Sequence, residues 1–178
     1  MVVSYMNMSI NVFKNIVLPT KDKLYRFALR MLRDEDEAKD VVQEVLIKVW
    51  NKRENMETVQ NVEAWCMQIT KNHVLDKVKT KRYKLTDSME DGFDLSDNSS
   101  SSPARITETN DTMENINKII NALPEKQKQV IQLRDIEGFS YKEIGDIMGV
   151  DLSQVKVNLF RARKSVKDNL LNINAYGL

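Results

Sequence analysis

One cysteine, Cys66, and one histidine, His73, are the only soft nucleophile and the only neutral-pH base that the chain offers. Nothing near them in sequence completes a dyad. There is no Gly-rich phosphate loop and no cluster of metal-ligating residue types. A lone Cys excludes an intramolecular disulfide, and one His leaves too few ligands for the usual structural zinc site. Carboxylates at helical spacing, such as Asp40 and Glu44, are commonplace on solvated helices. The chemistry-bearing types therefore argue against an enzyme, and no cofactor or small-molecule substrate is expected.

What remains is charge placed unevenly. The formal net charge is only +1, which by itself argues weakly against a nucleic-acid partner. Its distribution argues the other way. Between Lys71 and Lys84 six bases face the single acid Asp76, and between Lys156 and Lys167 five bases face none. Between Thr86 and Asn115 eight acids face the single base Arg105. Two basic patches separated by an acidic connector point to a polyanionic partner.

The second patch has a further property. In VKVNLFRARKSVK, residues 155–167, a helical winding puts Val155, Leu159, Ala162 and Val166 on one stripe. Val157 and Phe160 then lie on the opposite face with Arg161 and Lys164. Apolar side chains among bases, turned from the core, suit a DNA major groove, where thymine presents a methyl group and phosphates flank it. Alternatively, Phe160 packs on another helix of its own domain and the bases are merely solvated.

These residues need helices to carry them. Five Gly and three Pro among 178 residues, with 30% charged side chains, favour helices over sheets. Leu24, Phe27, Ala28, Met31 and Leu32 follow helical spacing, as do Val41, Val42, Val45, Leu46 and Val49. RDEDEAKD between them supplies acids to the start of the second helix. Val62, Trp65, Cys66, Ile69, His73 and Val74 mark a third, which runs into the first basic patch; Trp65 reads as core and His73 as a surface residue. Farther on, Pro124 suits a first helical position with Glu125 in the first turn. Ser140 with Glu143 has capping-box spacing, and Asp151 with Gln154 resembles it. Gly149 sits where a tight turn needs positive φ. Gly145 is small enough to let the next helix approach, with Val155 and Leu159 packing on Ile144 and Met148. That is helix-turn-helix grammar.

The expected architecture is all-α: two small helical domains joined by a flexible acidic linker. Its divisions are an N-terminal extension 1–20, a first domain 21–85, the Ser- and Asp-rich linker 86–112, a second domain 113–171 and a tail 172–178. The linker carries too few large apolar residues to offset its ordering entropy. Asn7, Ser9, Asn11, Lys14 and Asn15 interrupt the apolar start. Neither an export signal nor a membrane span is expected, which fits a cytoplasmic protein.

Taken together, DEAKDVVQEVLIKVW, NVEAWCMQITKNHVLDKVKTKR and LPEKQKQVIQLRDIEGFSYKEIGDIMGVDLSQVKVNLFRARKSV resemble, in order and over about 150 residues, the bacterial RNA polymerase sigma factors of the extracytoplasmic-function type. The resemblance implies a protein without covalent chemistry that binds core RNA polymerase and directs promoter recognition, DNA melting and initiation. By position, Asp40, Gln43 and Glu44 would make polar contacts to polymerase while Val41, Val45 and Leu46 hold the helix in place, with Val41 also counted among the polymerase-binding residues. Arg53, Lys71, Asn72, Lys77, Lys79, Lys81 and Arg82 would follow the melted minus-ten strand. Ser153, Gln154, Lys156, Val157 and Phe160 would face bases of the minus-thirty-five element, with Arg161, Arg163 and Lys164 toward phosphates. An anti-sigma factor, often membrane-bound in the family, is the further partner implied. The linker would mimic nascent RNA or serve only as a tether.

Departures from the family pattern bear on promoter sequence. The family often has a small polar residue where Val157 stands and a base where Asn158 stands, and Cys66, Met67 and Gln68 replace a commoner Leu, aromatic and Arg. The competing reading is a stand-alone helix-turn-helix regulator whose N-terminal helices dimerise or sense a ligand. It would bind its own site without polymerase.

Overall fold

The computed structural model describes residues 10–52, 59–87 and 108–176, and all regular structure among them is helical. A short α1 (Ile10–Val12) leads through one π and one 3-10 turn into α2 (Lys21–Leu32), α3 (Glu35–Asn51) and α4 (Val62–Asp87). These three form the first domain. Leu24, Phe27 and Ala28 of α2 meet Val41, Val42, Val45 and Val49 of α3 and Cys66, Met67 and Val74 of α4, all buried in one core. Each large apolar side chain buried this way contributes about 1.5–3 kcal/mol.

Local sequence sets the helix ends. Arg33 ends α2 in the left-handed region at φ 56°, a conformation more usual for Gly. The chain then turns at once, and the Asp34 side chain accepts from the Glu37 amide at 2.9 Å to cap α3. Three acids in the first turn of α3 complement its dipole. The extension drawn at residues 1–20 is structured where it is described. Val17 is fully buried, Thr20 is buried with its hydroxyl donating to the Val17 carbonyl, and Phe13 meets Trp50 edge to face at 5.2 Å.

The second domain comprises α5 (Glu108–Ala122), α6 (Glu125–Ile131) with a π turn to Ile136, α7 (Tyr141–Met148) and α8 (Leu152–Tyr176). Pro124 is the N-cap of α6 and not its first residue; its extended ψ of 145° keeps it outside the helix. The capping box forms as expected: the Glu143 amide donates to the Ser140 hydroxyl and the Ser140 amide to the Glu143 carboxylate. Gly149 takes φ 68°. Gly145 is required by the turn itself: a Cβ there would lie 3.0 Å from the Val150 carbonyl oxygen, not against a side chain of α8. Asp151 caps α8 by accepting from the Gln154 amide. The Ser153 hydroxyl donates to the same carboxylate oxygen. Helices reach into both ends of the linker drawn at 86–112 and into the tail drawn at 172–178; residues 88–107 lie outside the described set.

The two domains pack against each other, which the sequence did not signal. Lys23, Arg26, Arg30 and Arg33 line one side of α2. Arg26 grips Glu137 with two bonds, Nε to Oε1 at 3.1 Å and Nη2 to Oε2 at 2.6 Å. The Glu137 side chain is fully buried and also accepts from Gln132 at 2.9 Å. Arg30 reaches Gln132, Asn121 and Asn117, and Arg33 donates to the Asn121 carbonyl at 2.7 Å. From α4, Gln68 donates to the Asp146 carbonyl at 3.0 Å. Just ahead of α4, Asn61 donates to Glu143 at 2.6 Å. Apolar residues of both domains run together in one continuous core.

Candidate nucleic-acid interface

α8 presents the two faces that its sequence promised. Val155, Leu159 and Ala162 are buried, whereas Val157 is 45% and Phe160 69% exposed. Phe160 therefore does not pack on a helix of its own domain. Around it Ser153, Gln154, Lys156, Arg161 and Lys164 are all exposed. The Ser153 hydroxyl donates to Asp151 at 2.6 Å, and that bond with the Gln154 amide holds the Asp151 carboxyl below its usual range. Arg163 is exposed yet engaged: its guanidinium forms a two-point pair with Asp135, Nε to Oδ2 at 3.0 Å. It can reach a phosphate only by giving up that pair. Tyr141, Lys156, Leu159, Phe160, Arg163 and Lys164 together line a shallow concavity. Its exposed aromatic lies among cations, suited to a groove edge and its phosphates.

The first domain carries two further surfaces on adjacent helices. Asp40, Gln43 and Glu44 of α3 are exposed. Val41 is fully buried, so its place on the contact surface is corrected: it seats the helix from behind, as its spacing with Val45 dictates. Ile47, 61% exposed, lies one turn beyond Gln43 on the open face. Sequence reading passed over it, although an apolar residue outside the Val41–Val45–Val49 stripe was the available signal.

On α4, Asn72, Lys79 and Lys81 are exposed, Lys77 is half-buried, and burial lowers the pKa of the half-buried Lys71. Arg53 and the Arg82 side chain lie outside the described residues. Two members of this face are tied to α3: His73 pairs with Glu44, and the Lys81 ammonium lies 2.7 Å from Glu37 Oε2. Trp65 is half-buried against the core. Cys66 is fully buried and its thiol is pushed up to about 12 by burial, so it is unreactive at neutral pH. No group of His, Cys, Asp and Glu among the described residues could hold a metal ion.

The order of these surfaces along the chain matches two family models, sigma-70 region 2 over residues 16–83 and sigma-70 region 4 over residues 113–166. The chain is a sigma factor of the sigma-70 family, of the extracytoplasmic-function type. The sigma factor SigE of Mycolicibacterium smegmatis is 29% identical over 149 residues, covering 84% of this chain but 58% of that protein. SigW of Bacillus subtilis is 26% identical over 168 residues and 90% of each chain. Among solved structures, the sigma factor RpoE in complex with the anti-sigma factor NepR from Bartonella quintana matches with a TM-score of 0.75. It is 26% identical, and the match spans 90% of this chain and 98% of that one. As a sigma factor the protein directs RNA polymerase to promoters and is not itself a catalyst. Membership of the family displaces the stand-alone regulator.

Proposed function

We propose that this sigma factor binds core RNA polymerase through the open face of α3, with Asp40, Gln43 and Glu44 as polar contacts and Ile47 as an apolar one. Lys71, Asn72, Lys77, Lys79, Lys81 and Arg82 track the melted minus-ten strand, and the segment from Arg53 to Asn61 with the helix to Asn72 captures an unstacked base of it. Unstacking a base costs a few kcal/mol, offset by pocket contacts and by the basic track. In the second domain Ser153, Gln154, Lys156, Val157 and Phe160 read bases of the minus-thirty-five element. Arg161 and Lys164 hold phosphates, and Arg163 does so after releasing Asp135.

The observation that carries this reading is the exposed pair Val157 and Phe160 on the second helix of a helix-turn-helix, with Val155, Leu159 and Ala162 buried behind them. The protein works where polymerase and promoter DNA are, in the cytoplasm. An anti-sigma factor is its further partner, as RpoE has one in the solved complex. The roles drawn for the linker, RNA mimic or tether, fall on residues outside the described set.

Co-elution with sigma-free core polymerase tests the first step. Stoichiometric co-elution is expected and should be lost in the Gln43→Ala, Glu44→Ala double variant. A variant that co-elutes as well as the parent refutes the assignment of α3.

A further inference from the structure

Among the described residues only two aromatic side chains are exposed, Phe160 at 69% and Tyr83 at 79%. One lies in each of the two basic patches. The functions assigned so far use Phe160 and leave Tyr83 without a part. A single apolar side chain at a surface is ordinary, so exposure alone assigns it nothing. Its placement does more.

Tyr83 belongs to the part of α4 that has left the core. The last residues of this helix to pack there are the buried Val74 and the half-buried Val78. Beyond them every described side chain of α4 is exposed: Lys79, Thr80, Lys81 and Tyr83. The helix nevertheless runs on to Asp87. The Thr80 hydroxyl donates back to the Asp76 carbonyl at 2.9 Å, and Lys81 is tied to Glu37. Neither contact involves the Tyr83 ring.

At about 100° per residue, Asn72, Asp76, Lys79 and Tyr83 fall on one line directly opposite Val74. All four are exposed. The one acid of the line, Asp76, is flanked by Lys77 and Lys79. Phe160 stands in the same relation to the buried stripe of α8, so both basic patches present an aromatic on the outward line of a helix.

The line also fixes what the ring can meet. Tyr83 lies eleven residues beyond Asn72, which is about 16 Å along a helix. At about 3.4 Å per nucleotide that is roughly five nucleotides from the base captured near Asn72. A ring stacks only on a base with an open face. Paired bases cover one another, whereas melting uncovers them. Stacking of this kind tolerates any base, because every base has a π face, and flanking cations hold the backbone.

We infer that Tyr83 is a stacking platform of the first domain. Its ring takes up a base exposed by melting, about five nucleotides along the strand from the captured one, with Lys79 on the neighbouring phosphate. The inference rests on the assignment of α4 to the melted strand. It adds to that track an apolar contact that salt does not screen and that helps to hold DNA open whatever its sequence.

The test uses holoenzyme assembled from the full chain and core polymerase. Binding is measured by fluorescence anisotropy on a promoter fragment held open by mismatches across the minus-ten segment, and on the same fragment fully paired. Tyr83→Ala should weaken binding to the open fragment roughly tenfold. Its effect on the paired fragment should be much smaller, and co-elution with core polymerase should be unchanged. Tyr83→Phe, which keeps the ring, should restore the affinity of the parent. Lys79→Ala controls for the track and should reduce the salt slope on the open fragment by about 0.7.

An effect of Lys79→Ala without one of Tyr83→Ala overturns the platform and leaves the track standing. No effect of either variant overturns both. Equal loss on open and paired DNA makes Tyr83 a duplex contact, and lost co-elution makes it a polymerase contact; each overturns the platform. Tyr83→Phe as weak as Tyr83→Ala does so too, because the hydroxyl and not the ring would then carry the binding.

Discussion

Phe160→Ala removes a ring that is 69% exposed, so the substitution should separate reading from folding. An aromatic side chain offers about 150–250 Å² when fully covered, and the exposed share here leaves roughly 100 Å² of ring for DNA to cover. At about 25 cal/mol per Å², full coverage is worth about 2.5 kcal/mol, and partial coverage about 1.5, or roughly tenfold in affinity. The cost to the fold should stay within about 0.5 kcal/mol, as for other surface substitutions. The assay is promoter binding by holoenzyme made with parent and variant, on a promoter and on derivatives altered one base at a time in the upstream element. A loss of roughly tenfold concentrated at one thymine, with thermal unfolding of the free protein unchanged, is expected. Equal loss on every sequence would mean that Phe160 contributes only nonspecific contact. A lowered unfolding temperature would mean that the ring supports the fold, and either result refutes the argument.

Arg161→Ala should weaken promoter binding and reduce the slope of log affinity against log salt by about 0.9, the contribution of one phosphate contact. Arg163→Ala should change the slope less, because Asp135 already neutralises that guanidinium; equal slopes for the two variants would count against the pairing. Burial would raise the Glu143 carboxyl, but bonds from the Ser140 amide and hydroxyl and from Asn61 outweigh it and hold the pKa below its ordinary value of 4.5. The stability this supplies, about 1 kcal/mol for a cap, is fully present above pH 4.5 and lost as pH falls through the lower folded value. Urea unfolding of Glu143→Gln should therefore show a flatter stability curve through that acid range, and a curve parallel to the parent would refute it.

What could be read from the sequence was local. Ser140, Glu143 and Gly149 fix the helix-turn-helix within ten residues of one another, and each interaction is a backbone bond or a dihedral preference with its own residue signature. The two faces of α8 were legible for the same reason, since 3.6-residue periodicity sorts Val155 and Leu159 from Val157 and Phe160. Val41 shows the limit of reading by position: periodicity made it core, and assigning it to a contact surface set that physics aside. Pro124 misled by one place because its ring tolerates both the cap and the first turn. The domain interface had no local signature. Arg26 and Glu137 are separated by 111 residues, and four cations at helical spacing on α2 read equally well as a solvated face. Only tertiary packing shows that Glu137 is buried against Arg26 and that Arg30 and Arg33 reach across to Gln132 and α5.

The pairs that cross from α3 to α4 have a thermodynamic consequence. Glu44 is shared between His73 and the surface assigned to polymerase, and Lys81, assigned to DNA, is held by Glu37. A polymerase contact to Glu44 must displace His73, and a phosphate on Lys81 must displace Glu37. Each contact proposed at these positions is therefore an exchange of partners and not the capture of a free side chain. An exposed ion pair is worth about 0.2–1 kcal/mol, so the exchange costs little. The two adjacent helices thus hold these side chains against each other until a stronger partner competes for them.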